Sequence, residues 1–188
     1  MHYPYWMKLE KCLLALSRPI YKRNIPSPYP LLLILPPISV LPIVIGEQQP
    51  VLRAKTKEVA VTKDILKLIK DMEQTTVKAD GLGLAAPQIG QSLRLCVAKI
   101  NGRLTPLINP HITHYSKDTD VMEEGCLSLP NIWLPVPRST SIVVKYLNAK
   151  GQPQERKLEG MDARVVQHEV DHLDGKLILD YGSMPKPM

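Results

Sequence analysis

The chain has 188 residues and a mass of 21.1 kDa, with 44% hydrophobic and 22% charged residues, a size and balance that support one apolar core and exclude a fibrous or disordered chain. Its formal net charge of +6 points towards nucleic acid or an anionic surface, but the absence of Phe and an aromatic content of 5% leave few rings for bases to stack on. The charge is also uneven: residues 1–38 hold five basic residues and one acid, a net of +4, and the remaining 150 carry only +2, so no direct nucleic-acid specificity is expected of the body.

From Asn24 to Gly46 no residue is charged. Pro26, Pro28, Pro30, Pro36, Pro37 and Pro42 interrupt that run, and each removes a helical donor, so no membrane-spanning helix is expected. The apolar run Leu31–Leu35 is short for a secretory leader and no small-residue cleavage site follows it. Residues 1–38 are therefore read as a proline-rich basic extension, expected to be poorly ordered, ahead of a folded domain over 39–188. An organelle transit role for the extension stays open, although its Ser and Arg are few. Cys12, Cys96 and Cys126 are an odd number without regular spacing, which fits a reducing compartment, with the cytoplasm as default, better than a disulfide framework.

Thr62 reads as an N-cap, with Asp64 in the first turn and Ile65, Leu66, Ile69 and Met72 at helical spacing, which predicts a helix over 63–78. Asp80–Gly90 holds three glycines and a proline, too broken for a helix and too small for a packed strand, and is expected to be a shaped loop. Leu93, Leu95 and Val97 alternate with Arg94 and Cys96; Leu107, Ile112, Ile142, Val144 and Tyr146 mark further short strands. Asn148–Gln152 predicts a hairpin. A second helix is expected to open after Gly160 and to close at Gly175, a residue suited to a left-handed terminator.

That second helix contains His168-Glu169-Val170-Asp171-His172. Two histidines four apart lie one above the other on a helix face, so their imidazoles can converge on a metal ion with Glu169 beside them to handle a proton. A catalytic site of this kind needs a third protein ligand. Downstream the available carboxylates are Asp174 and Asp180, as a zincin-type peptidase would require; upstream, Cys126 sits beside a glycine in a short polar segment.

Three segments in order, Gly81-Leu82-Gly83-Leu84-Ala85-Ala86-Pro87-Gln88, Glu124-Gly125-Cys126-Leu127-Ser128 and Gln167-His168-Glu169-Val170-Asp171-His172, resemble the three signature motifs of the peptide deformylases. Leu41–Val44 and Pro50–Arg53 also resemble the way members begin. The resemblance implies an α+β fold, small antiparallel sheets packed around a central metal-binding helix, and a hydrolase that removes the formyl group from the N-terminal formylmethionine of nascent chains, releasing formate. It implies Cys126, His168 and His172 as ligands of one divalent ion, Fe(II) in this family with Zn, Ni or Co able to replace it. It implies Glu169 as general base and acid, and the Gln88 side-chain amide with the Leu127 backbone N–H as donors to the oxyanion.

Gly81 and Gly83 let the first motif turn tightly and approach substrate, and Leu82, Trp133, Met161 and Val165 are candidates for an apolar methionine pocket. Asp171 is read either as an acceptor that orients an imidazole or as a solvated residue, and Arg138 as a partner of Glu123 or Glu124 bracing the ligand loop. His111 and His114 are treated as loop or strand residues. Many bacterial members carry a long C-terminal helix that in some contributes to ribosome docking; here only Tyr181–Met188 follow, so catalysis is expected without that element and any ribosome contact to be weak. A non-catalytic formyl-peptide binder is the remaining alternative, disfavoured because no catalytic position is lost.

Overall fold

The computed structural model describes residues 40–181; the expected extension over 1–38 and the last residues of the chain lie outside the described residues. In chain order come a one-turn helix α1 (Pro50–Arg53), helix α2 (Lys63–Lys78), strand β1 (Gly83–Ala85), a 3-10 turn (Ala86–Ile89), strands β2 (Leu95–Ile100), β3 (Arg103–Tyr115), β4 (Thr119–Cys126), β5 (Leu129–Ser139), β6 (Ser141–Leu147) and β7 (Pro153–Glu159), helix α3 (Gly160–Leu173) and a second 3-10 turn (Ile178–Tyr181). Strands β1-β2-β3-β6-β7 form one antiparallel sheet, and β4 and β5 form a separate two-stranded one. The architecture is α+β, with α3 packed between these sheets.

The predicted first helix is present over its expected span. Thr62 caps it by accepting a hydrogen bond from the Ile65 amide at 3.3 Å, and its apolar stripe packs Ile69 and Met72 against Leu84, Leu95, Val97 and Ile108. The opposite face of the same sheet, through Cys96, Ala98, Leu107, Ile142 and Val144, packs against Ala163, Val166, Val170 and Leu173 of α3. Because β2 is covered on both faces, Leu95 to Ala98 are all buried even though the strand is antiparallel.

The segment 80–90 is not a single loop. Gly83, Leu84 and Ala85 pair with Ala98, Val97 and Cys96, followed at once by the 3-10 turn that ends at Gly90 with φ 78°. Its small residues, which in the sequence look too small to pack, are what allow a strand between α3 and α2. A Cβ at Gly83 would lie 2.7 Å from Cδ of Glu169, so the glycine lets the strand pass close to α3 without displacing that carboxylate.

Leu107 and Ile112 belong to one long strand, β3, with register shifts between Ile108 and His111 and between Ile112 and His114. His111 lies on this strand, with Nε2 3.0 Å from Glu58 Oε1. The hairpin at Asn148–Gln152 is present, closed by Asn148 Oδ1 accepting from the Lys150 and Gln152 amides. The β4–β5 hairpin was not visible in the sequence: Pro130, Pro135 and Pro137 disguise β5, and a two-stranded ribbon tolerates them because each strand keeps an outer edge without ladder bonds. Helix α3 runs from Gly160 to Leu173 and the chain turns at Gly175, φ 75°, where a Cβ would meet the Arg53 carbonyl oxygen at 2.5 Å.

Candidate active site

Helix α3 carries His168, Glu169 and His172 on its inner side. His172 is 1% exposed and Glu169 3%, and the two imidazoles meet edge to face with centroids 5.0 Å apart. Opposite them β4 ends at Cys126, where Leu127 and Ser128 turn the chain into β5. One donor atom each from Cys126, His168 and His172 lie within 4.8 Å of one another, with Cys126 Sγ 3.3 Å from His172 Nε2. Cys126 therefore stands at a strand end on a tight turn rather than in a free polar segment.

The first motif reaches this cluster through the 3-10 turn. Gln88 is buried, its Oε1 accepts from the Ala85 amide at 2.8 Å, and its Nε2 thereby faces Ser128 Oγ at 3.3 Å and Cys126 Sγ at 3.6 Å. The segment around Val44 ties two of the motifs together: the Val44 amide donates to the Gln88 carbonyl and the Gly46 amide to the Ser128 carbonyl. A cavity of about 480 Å³ opens onto the cluster, and Gly81, Leu82, Gly83, Gln88, Cys126, Leu127, Trp133, Met161, Val165, His168 and Glu169 all line it. Leu82, Trp133 and Met161 are exposed at its wall while Val165 is buried; Trp133 lies over Gly125, where a Cβ would come within 3.2 Å of the indole.

Behind the cluster stands a buried network of charge. Glu124 Oε2 accepts from His168 Nδ1 at 2.9 Å, and the same carboxylate accepts from Arg138 Nε (3.0 Å), Arg138 Nη2 (2.9 Å) and Arg164 Nη1 (2.6 Å). Burial pushes the Glu124 carboxyl up, but the hydrogen bonds from His168 and Arg138 outweigh it and hold it at about 2. An ionised acceptor at Nδ1 fixes the proton of His168 on that nitrogen and leaves the Nε2 lone pair for a ligand. Arg138 thus pairs with Glu124 and not Glu123. Asp171 makes no direct hydrogen bond to an imidazole and does not stand in solvent: it pairs with Arg138 and accepts from Tyr181 Oη at 2.8 Å.

The residues that sequence reasoning missed are Arg164, Ser128 and Tyr181. Arg164 was findable, because it sits one helical turn before His168 on a stretch otherwise apolar, where a buried cation needs a carboxylate.

Comparison with known proteins bears on the same residues. The sequence model of the polypeptide deformylase family matches residues 40–187. The chain belongs to this family. It is 46% identical over 132 residues to the peptide deformylase of Pseudothermotoga lettingae, covering 70% of this chain and 77% of that protein. It is similar in fold to the crystal structure of peptide deformylase from Thermotoga maritima (TM-score 0.74, 43% identity, 77% of this chain and 99% of that one). It is also similar to a Met-Ala-Ser-bound class I type b peptide deformylase from Acinetobacter baumannii (TM-score 0.73, 31% identity, 77% and 99%).

Membership implies one divalent metal ion, and the donor set fits it. A thiol with two imidazoles is a set for a borderline or soft divalent ion. Among the described residues Glu169 Oε2 and His172 Nδ1 are buried without a hydrogen-bond partner, a cost that a bound water or substrate group would relieve. Burial pushes the His172 imidazole down, which keeps it neutral, the form that ligates a metal. The zincin alternative loses its third ligand: Asp174 is taken by Arg94 at 2.8 Å and Asp180 by Arg53 at 2.7 Å.

Proposed function

We propose that Cys126, His168 and His172 hold one divalent metal ion, Fe(II) with Zn, Ni or Co as substitutes, and that these residues with Glu169, Gln88 and Leu127 carry out the family reaction. That reaction removes the formyl group from the N-terminal formylmethionine of a nascent polypeptide and releases formate. The observation that carries the residue assignment is the convergence of the three donor atoms within 4.8 Å beside a buried carboxylate at the end of a cavity.

A divalent cation at this place supplies Lewis acidity, bringing the pKa of a water molecule towards neutrality. Glu169 is suited to take the proton from the attacking water, because burial pushes its carboxyl up to about 7, where it is a base and a conjugate acid in comparable measure. It returns that proton to the departing amine, so one residue serves both halves of the reaction. Gln88 donates to the formyl oxygen as negative charge grows there. Its amide is already turned by the Ala85 hydrogen bond, so no reorganisation is needed, and a donor of this kind is worth about 3 kcal/mol of the barrier. The Leu127 N–H, on the turn after Cys126, is the second donor. Glu124 keeps His168 in the tautomer and orientation that ligation demands.

The methionine side chain is placed against Leu82, Trp133, Met161 and Val165, with Gly81 and Gly83 letting the peptide backbone approach. Met-Ala-Ser bound to the Acinetobacter baumannii relative is the product that deformylation of formyl-Met-Ala-Ser leaves, which supports that class of substrate. We assign catalysis to residues 39–188, and take the working place to be the cytoplasm; no helix among the described residues is long and apolar enough to cross a membrane. Ribosome contact, if the basic segment 1–38 supplies it, is separable from catalysis.

Anaerobically metal-loaded protein is expected to release formate from formyl-Met-Ala-Ser and not from the unformylated peptide. Glu169→Ala is expected to keep the metal and lose turnover. A variant that retains activity removes Glu169 from the role of general base.

A further inference from the structure

The charge network behind His168 does not stop at Arg138. Arg138 Nη1 pairs with Asp171 and lies 3.3 Å from Tyr181 Oη, which itself donates to Asp171 at 2.8 Å, and the guanidinium sits 4.8 Å above the Tyr181 ring. The line runs unbroken from Tyr181 through Asp171, Arg138 and Glu124 to His168 Nδ1. Arg138 is 4% exposed and Glu124 7%, so each hydrogen bond acts where water competes little.

Tyr181 closes the segment Leu177–Tyr181, and this segment touches the site by a second route. Leu177 and Ile178 are buried in one apolar cluster with Cys126, Leu129 and Val136. The segment is held in its own turn by Asp180, which accepts from the Leu177 amide at 2.8 Å and from Arg53. One short stretch of chain thus braces two ligands: Cys126 by apolar packing and His168 through the polar line.

We propose that Tyr181 and Asp171 are positioning residues for His168, acting through Arg138 and Glu124, so that docking of the Leu177–Tyr181 segment and metal affinity are coupled. The proposal rests on the reading of Cys126, His168 and His172 as the metal ligands. Glu124 uses its acceptor capacity on Arg164, Arg138 and His168, and Arg138, which reaches both carboxylate oxygens, shares with Arg164 the setting of its orientation. Among the described residues, Arg138 in turn is fixed on its far side by the Asp171 side chain and by the Tyr181 ring and hydroxyl. Removing that anchor lets the guanidinium, and with it the carboxylate, rotate away from Nδ1. Coupling between sites is reciprocal, so an ion on the ligands also holds the segment down.

The test uses the full chain loaded with Co(II), read by its visible absorption spectrum and by chelator competition for affinity. Tyr181→Phe keeps the ring stacked on Arg138 and removes only the hydroxyl; it is expected to weaken Co(II) binding about 3-fold to 10-fold and to shift the absorption bands, and Asp171→Asn to weaken it about 10-fold to 100-fold. Arg53→Gln, which loosens the surface tether of the same segment without touching the line, is expected to weaken Co(II) binding less than Tyr181→Phe and to leave the absorption bands where they are in the wild type. Wild-type affinity and spectrum in Tyr181→Phe would overturn the proposal, as would an equal loss in Arg53→Gln. Should Asp171→Asn fail to fold by far-UV circular dichroism, the Tyr181→Phe and Arg53→Gln pair still decides. A His168→Ala protein that binds Co(II) with an unchanged spectrum would show instead that the ligand set is wrong. As the converse readout, Co(II) is expected to slow amide exchange at Leu177 and Asp180 in the wild type more than in Tyr181→Phe; equal slowing would count against coupling.

Discussion

The two long sides of α3 are buried by opposite means. On one, Ala163, Val166, Val170 and Leu173 enter the apolar cluster beneath the five-stranded sheet. On the other, Arg164, His168 and Asp171, also spaced by helical turns, enter a lattice of ion pairs with Asp120, Glu124 and Arg138 on the β4–β5 hairpin. Apolar burial is strong and non-directional, and stabilises the helix without specifying any one side chain's orientation. Ion pairs that are buried contribute little net stability, since desolvation offsets their attraction, but they impose direction. The helix thus derives its stability from one side and the aim of His168 from the other.

Substitutions that act on one side only sharpen this division. The largest effect is expected from Glu169→Ala, between the two sides: kcat for formyl-Met-Ala-Ser should fall by up to about 10⁴-fold, at the upper end for a general base, with metal content by elemental analysis and thermal midpoint close to wild type. Leu173→Ala, on the apolar side, should cost about 3 kcal/mol of unfolding free energy in urea titration, while the protein that remains folded keeps its kcat. A loss of kcat per folded molecule there would mean that the apolar side also aims the site.

Gln88→Ala should lower kcat about 100-fold, in line with loss of one oxyanion donor, and cost about 1 to 3 kcal/mol of stability because the buried Ala85 amide loses its acceptor; steady-state kinetics per folded molecule checks it, and a change confined to KM would place Gln88 in binding instead. Thr62→Ala, remote from both sides, should cost about 1 kcal/mol through the lost cap of α2 and leave kinetics untouched.

The smallest effect concerns the surface pair of Arg53 and Asp180. Burial pushes the Asp180 carboxyl up, but the Leu177 amide and Arg53 outweigh it and hold it below the usual carboxylate range. A carboxyl whose pKa is lower folded than unfolded contributes stability that is present above its ordinary pKa and is lost as the pH falls through the folded value. Asp180→Asn is therefore expected to cost less than about 1 kcal/mol at pH 7, with the gap from wild type closing towards pH 3 in urea titrations.

Much of the site was legible because its signals are local. The spacing of His168 and His172 is a property of any helix, and Thr62, Gly160 and Gly175 mark helix ends by capping chemistry alone, so both long helices were found with their limits. Other features were hidden because they depend on what lies opposite. Gly83–Ala85 looked like loop because small residues make no periodic pattern, and only the presence of Glu169 beside Gly83 explains why the strand must be small. Strand β5 was masked by prolines that are harmless only on a two-stranded ribbon.

The sequence by itself pointed to two imidazoles one turn apart with a carboxylate between them, and its resemblance to the family motifs added the Cys126 thiol and the Gln88 amide to the atoms proposed for chemistry. The tertiary structure decided how those atoms face one another. It turned the Gln88 amide towards Cys126 through Ala85, and it chose Glu124 over Glu123 as the partner of Arg138. It also drew Asp171 away from the imidazoles towards Tyr181. Each of these depends on a contact between residues distant in the chain or on the direction of a side chain. Residue type and spacing carry neither, because hydrogen-bond direction is set only when the partners are brought together and water is excluded.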